Sequence, residues 1–157
     1  MAICCIRIDE RLIHGQVATA WTHSVEATRI MVIDDKVVKD AVQKMALKSA
    51  CPMGIKLSLL NVEKATANLQ TDKYDGQNVF IVVKSPEVLT RLLNGGVKFD
   101  EVIIGNMSAK SNSRVLHRTV SVTDEDVKNF NELMAASVKV NLQMVPNDKK
   151  IDIKTLL

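Results

Sequence analysis

The sequence predicts a single-domain α/β fold built around a parallel sheet. Short apolar segments recur along the 157 residues with helix-like spacers between them, the mark of βα units. A composition of 46% hydrophobic and 25% charged residues is enough to build a sizeable core beneath a charged surface. No internal repeat, low-complexity tract or long linker interrupts the chain, so residues 1–157 read as one domain.

Taken in order, residues 2 to 8 are a mostly apolar strand, and residues 15 to 23 continue as the first helix. A second strand spans Arg29 to Ile33. A helix over Asp35 to Ala50 follows, in which Val38, Ala41, Val42, Met45 and Ala46 form an apolar stripe at helical spacing, expected to be core. Lys56 to Leu60 and Val79 to Val83 are the next strands. Each precedes a helix with a residue suited to an N-cap, Asn61 before the helix ending at Leu69 and Ser85 before Pro86 to Leu93. Gly95-Gly96 ends the latter. Glu101 to Ile104, a short Thr119 to Val122 and Lys139 to Met144 complete the strands. Thr123 opens the last helix as a cap, with Asp124, Glu125 and Asp126 at the positive end of its dipole, and this helix runs to about Ser137.

Composition also narrows the function. The apolar stretches are strand-sized, far short of the roughly 20 residues that span a bilayer, and no basic lead with an apolar region marks an export signal, so a cytoplasmic location is expected. A net charge of +3 with dispersed Lys and Arg, and only 3% aromatic residues for stacking bases, argues against nucleic-acid binding. Cys4, Cys5 and Cys51 show no metal-ligand spacing, so no metal is expected. Adjacent strand residues face opposite sides, and Cys4 and Cys5 are expected as small buried hydrophobes on two core faces.

The chemistry gathers in the run Ile6-Arg7-Ile8-Asp9-Glu10-Arg11-Leu12-Ile13-His14-Gly15-Gln16-Val17. His14 falls on a strand-to-helix turn among arginines and acids, where free helix N–H groups favour an anion. That setting suits a phosphohistidine. The structural alternative is a capping or partly buried histidine beside a solvated salt-bridge cluster. A small-molecule enzyme on a flavodoxin-like or dinucleotide-binding fold is disfavoured, because neither G-x-G-x-x-G after the first strand nor a P-loop lysine motif occurs.

The run resembles the active-site signature of the mannose, fructose and sorbose type enzyme IIB proteins of the bacterial phosphoenolpyruvate-dependent sugar phosphotransferase system. The family pattern reads close to R-I-D-D-R-L-I-H-G-Q-V, and this chain differs chiefly in having Glu10 for the second aspartate. Ala18-Thr19-Ala20-Trp21, Lys84-Ser85-Pro86, Asn94-Gly95-Gly96-Val97, Ile104-Gly105-Asn106-Met107 and Ser121-Val122-Thr123-Asp124-Glu125-Asp126 follow in family order.

The resemblance implies an open, twisted, mainly parallel sheet with helices on both faces and the active turn at its carboxyl edge. It implies a phosphotransferase in which His14 accepts a phosphoryl group from phosphohistidine of an enzyme IIA partner. The group then passes to a sugar imported through membrane IIC and IID components, which largely set sugar choice and are the only link to the membrane. No cofactor is implied, and a homo-oligomer is compatible with it. The alternative is a regulatory or sensor protein in which phosphorylated His14 alters binding without transfer to sugar.

Within that frame Arg11 is the charge partner of phosphate, and Asp9 is placed to orient Arg11 or the His14 ring. Gly15 clears space for backbone to approach phosphate, and Gln16 is a further donor. Ser85 either contacts phosphate or simply caps its helix. The loop Ile104 to Ser108 is expected near the site, and Ser108 to Arg118, with Lys110, Arg114 and Arg118, reads either as a solvated loop or as part of a docking face. His23 and His117 are expected at the surface, His117 being also a lesser candidate for contact with a partner or the phosphate edge. Trp21 is expected in the core, or as a partner anchor if exposed.

Overall fold

The computed structural model describes residues 3–157, so Ala2 of the first expected strand lies outside the described residues. The elements are β1 (Ile3–Asp9), α1 (Gly15–Ser24), β2 (Arg29–Ile33), α2 (Ala41–Ala50), β3 (Lys56–Leu60), α3 (Val62–Leu69), β4 (Val79–Val83), α4 (Pro86–Asn94), β5 (Glu101–Asn106), β6 (Arg114–His117), β7 (Val120–Val122), α5 (Asp124–Ala135), β8 (Lys139–Leu142) and β9 (Ile151–Asp152). Single 3-10 turns lie at Val37–Lys39 and Ile153–Thr155. Seven strands form one sheet in the order β3-β2-β4-β1-β5-β8-β9, parallel except where β9 pairs antiparallel with β8.

Period-two alternation in the strands divides the core between the two faces. Ile81 and Val83 of β4 and Ile6 and Ile8 of β1 pack against Ala65, Leu89, Leu92, Phe130 and Leu133 of α3, α4 and α5. Phe80 and Val82 face the other way, toward Ala18 and Trp21 of α1 and Leu47 of α2. The helices start where the sequence places caps. Asn61 accepts from the Lys64 amide at 2.7 Å, and Thr123 with Asp126 forms a reciprocal capping box. The last helix stops at Ala135, just before Ser137 turns to a left-handed φ of 67°.

Several elements depart from expectation. The helix expected over Asp35 to Ala50 is broken at Asp40, whose backbone is extended (φ −113°, ψ 103°) and whose carboxylate caps Val42 N and Gln43 N. The break resets the helical phase. Val42 and Met45 are therefore 79% and 70% exposed, Ala41 and Ala46 are exposed, Val38 is half-buried, and Leu47 alone of α2 is buried. The expected core stripe is a surface.

Cys4 is likewise exposed and Cys5 only half-buried. The amino end of β1 overhangs its neighbours: its register with β4 slips between Ile3 and Cys5, and β5 joins it only from Arg7 onward. β8 ends at Leu142 rather than Met144, β5 continues through Gly105 to Asn106, and the expected loop 108–118 contains β6, which forms an antiparallel hairpin with β7.

Candidate active site

β1 ends at Asp9 and α1 begins at Gly15, so Glu10 to His14 form the turn at the carboxyl edge of a central strand. α1 leads leftward over one face to β2, whereas the chain leaving β5 crosses by α5 over the opposite face to β8. Neighbours β1 and β5 thus flank the switch point where open α/β sheets hold ligands. Buried Leu12 and Ile13 anchor the turn from beneath, and the Leu12 amide donates back to the Asp9 carbonyl at 2.9 Å. Leu12 (φ 58°) and Gly15 (φ 46°) both adopt left-handed backbone, and glycine meets that demand without steric cost.

The turn leaves His14 in extended conformation at the N-cap position of α1, with its side chain 27% exposed. Ala18 N is the first helix amide to reach a carbonyl, that of His14 at 3.3 Å. The amides of Gly15, Gln16 and Val17 accordingly point out of the helix start, a ready cradle for anionic oxygens. His14 Nδ1 lies 3.4 Å from the Leu12 carbonyl and 4.0 Å from Asp9 Oδ2. Its Nε2 is buried without a hydrogen-bond partner, and His14 lines a void of only about 10 Å³ together with Arg7, Val17 and Trp21.

Asp9, 1% exposed, organises the charges. Its Oδ1 accepts from the Arg11 amide at 2.9 Å and from Arg11 Nε at 3.2 Å, and Oδ2 accepts from Arg11 Nη2 at 3.3 Å. The structure therefore brings Asp9, Arg11 and His14 together, with the half-exposed Arg11 guanidinium free to face solvent. Across the crevice, Lys110 Nζ meets Glu10 Oε1 at 3.1 Å and the Glu10 amide donates to Asn106 O at 3.2 Å. These contacts attach the segment after β5 to the turn that bears His14. Asn106, paired with Asp9 in the sheet, leaves its side-chain Oδ1 buried and unpartnered.

Other candidates divide. Gln16 is exposed on the first turn of α1. Ser85 sits at the N-cap of α4, beside the site because β4 adjoins β1, yet its hydroxyl makes no cap hydrogen bond. His23 is exposed at the end of α1. His117 lines a cleft of about 200 Å³ between the β6–β7 hairpin and residues 143–151, which His14 does not line. Trp21 is 4% exposed and donates from Nε1 to the Met144 carbonyl at 3.0 Å. Among the described residues no group of three or more His, Cys, Asp and Glu is arranged to hold a metal.

Sequence reasoning passes over Arg7, which is 2% exposed within β1. Its Nη1 donates to the Gln143 carbonyl at 2.9 Å, and its Nη2 to the Met144 carbonyl at 3.0 Å and to Asp9 Oδ2 at 3.5 Å. The guanidinium lies over the Trp21 ring, 4.8 Å from its centroid, and rests on Gly105, where an added Cβ would overlap it. The available signal was a charged residue between Ile6 and Ile8 in an otherwise apolar stretch.

The family model described as PTS system sorbose subfamily IIB component matches residues 3–157. The sorbose-specific EIIB component of Lacticaseibacillus casei is 37% identical over 98% of this chain and 93% of its own. The mannose-specific EIIAB component of Escherichia coli K12 is 34% identical over the whole of this chain, which spans 49% of that relative. The crystal structure of the IIBSor domain of the sorbose permease from Klebsiella pneumoniae superposes with a TM-score of 0.94 at 34% identity, covering 98% of this chain and 94% of that one.

Proposed function

The chain belongs to the sorbose subfamily of phosphotransferase-system IIB components, a phosphoryl-relay subunit acting in sugar transport, and we propose that His14 is the residue through which the phosphoryl group passes. The carrying observation is the turn itself: an imidazole beside an Asp9-held guanidinium, at a helix start with three outward amides.

Two displacements follow from the family's relay. A phosphohistidine of an enzyme IIA donor loses its P–N bond as a new P–N bond forms to His14, the donor imidazole keeping the electron pair. A sugar hydroxyl brought by membrane IIC and IID components then attacks, forming a P–O bond and breaking the P–N bond; the His14 imidazole keeps the electron pair of that bond, and the hydroxyl proton passes to solvent. Arg11 and the amides of Gly15 and Gln16 offset charge on the equatorial oxygens, where phosphoryl transfer needs it most. Asp9 keeps Arg11 in place, and the uncapped Ser85 hydroxyl supplies a further donor. Nε2 is buried and without a partner, so the group is taken at Nδ1, in the tautomer that holds the ring proton on Nε2 and leaves the Nδ1 lone pair free of the Leu12 carbonyl. Residues 1–157 act as one IIB domain, working in the cytoplasm and meeting the membrane through its partners. Among the described residues no helix is long and apolar enough to cross a membrane.

Intact mass after incubation with phosphoenolpyruvate, enzyme I, the phosphocarrier protein and a matching IIA tests this. Wild type should gain one acid-labile phosphate and His14→Ala none. An unmodified wild type alongside a demonstrably phosphorylated IIA overturns the assignment.

A further inference from the structure

We propose that Arg7 is a positioning residue for phosphoryl acceptance, fixing the Asp9 carboxylate so that Asp9 can hold the Arg11 guanidinium toward His14. The proposal rests on the reading of His14 as the phosphoryl carrier.

An arginine inside a central strand is costly to bury unless its donors are met. Arg7 meets that cost with four groups from three parts of the chain. The Gln143 and Met144 carbonyls each accept from it, its guanidinium carbon lies over the Trp21 ring, and Asp9 accepts from its Nη2. β8 ends at Leu142, and the two carbonyls just beyond it turn to the guanidinium instead of a strand neighbour. Trp21 Nε1 donates to the same Met144 carbonyl, so the cation and its aromatic platform are pinned together. Gly105 supplies the space, because any Cβ there would fall on the guanidinium.

The two oxygens of Asp9 are thereby shared unequally. Oδ1 serves Arg11 alone, through its amide and Nε, while Oδ2 is held between Arg7 Nη2 and Arg11 Nη2. Without Arg7 the carboxylate would turn about its last bond and pull Arg11 away from its present line. Arg7 itself is covered by Trp21 and the 143–144 backbone, so its influence on the reacting atoms runs through Asp9.

The test measures the rate of phosphoryl acceptance from phosphorylated IIA in Arg7→Lys, Arg11→Ala and the double variant, with thermal melting to establish folding. Arg7→Lys should slow acceptance about tenfold or more, chiefly in kcat, since a single ammonium cannot reproduce the planar fork. Residues acting through one another lose additivity, so the double variant should be no slower than Arg11→Ala, within about threefold. Gly105→Ala keeps every charged group and should show the same kcat loss by displacing the guanidinium; it decides the matter if Arg7→Lys does not fold. Normal rates in a folded variant, or fully multiplicative losses in the double variant, overturn the proposal. Failure of wild type to accept phosphate, with IIA phosphorylated, overturns the reading of His14 instead.

Discussion

Asp9 balances two guanidinium groups with one carboxylate, and it does so 1% exposed. One positive charge is left over at the mouth of the turn, where Arg11 is 48% exposed. The Glu10–Lys110 pair cancels within itself, so the surplus is local to Arg11 and suits an incoming dianionic group. Burial pulls Arg7 below the ordinary guanidinium value, with Asp9 acting in the opposite sense; guanidinium groups nonetheless stay protonated in proteins. The cysteines differ as sharply from one another. Burial pushes the Cys5 thiol up to about 12, and a thiol whose pKa is raised holds less thiolate at any lower pH. Burial raises the Cys4 and Cys51 thiols as well, and the two differ in access, Cys4 standing exposed and Cys51 half-buried. Iodoacetamide at pH 8 should therefore modify Cys4 first and Cys51 slowly, leaving Cys5 unmodified in the native state, as peptide mass mapping would show. Early modification of Cys5 would contradict its placement.

At the scale of elements, α2 behaves as a helix held by one cap and one buried leucine. Asp40→Ala removes acceptors from Val42 N and Gln43 N and should cost about 1 kcal/mol. Met45→Lys, on the exposed face, should change stability by no more than about 0.5 kcal/mol. Urea unfolding of the two variants measures both, and a large loss in Met45→Lys would restore that residue to the core. Elements with a strong local signal were legible in the chain: β4, five consecutive buried residues, and α5 with its Thr123 cap. The break at Asp40 was hidden because apolar spacing on its two sides reads as one continuous stripe. β6 and β9 were hidden because their pairing is set by tertiary neighbours, β6 having Arg114 and Val115 exposed and β9 being two residues long.

At the scale of the molecule, the switch between β1 and β5 gathers the site from distant parts of one chain. His14, Arg11 and Asp9 were readable because they share one short run with a recognisable order. Arg7 was not, since its partners Gln143 and Met144 lie at the far end of the sequence and only the folded sheet brings them near. The same holds for Gly105, whose lack of a side chain has meaning only once Arg7 lies against it. The position of β1 in the sheet has a temporal side as well. It is the first strand of the domain to leave the ribosome, yet Ile6 must wait for Ile81 and Arg7 for Ile103 before either edge is paired. Ordering contacts so distant in sequence slows folding and leaves strand edges open meanwhile. The nascent domain thus carries the turn that bears His14 unassembled through most of its synthesis, and completes it only when β5 and the segment after β8 have emerged.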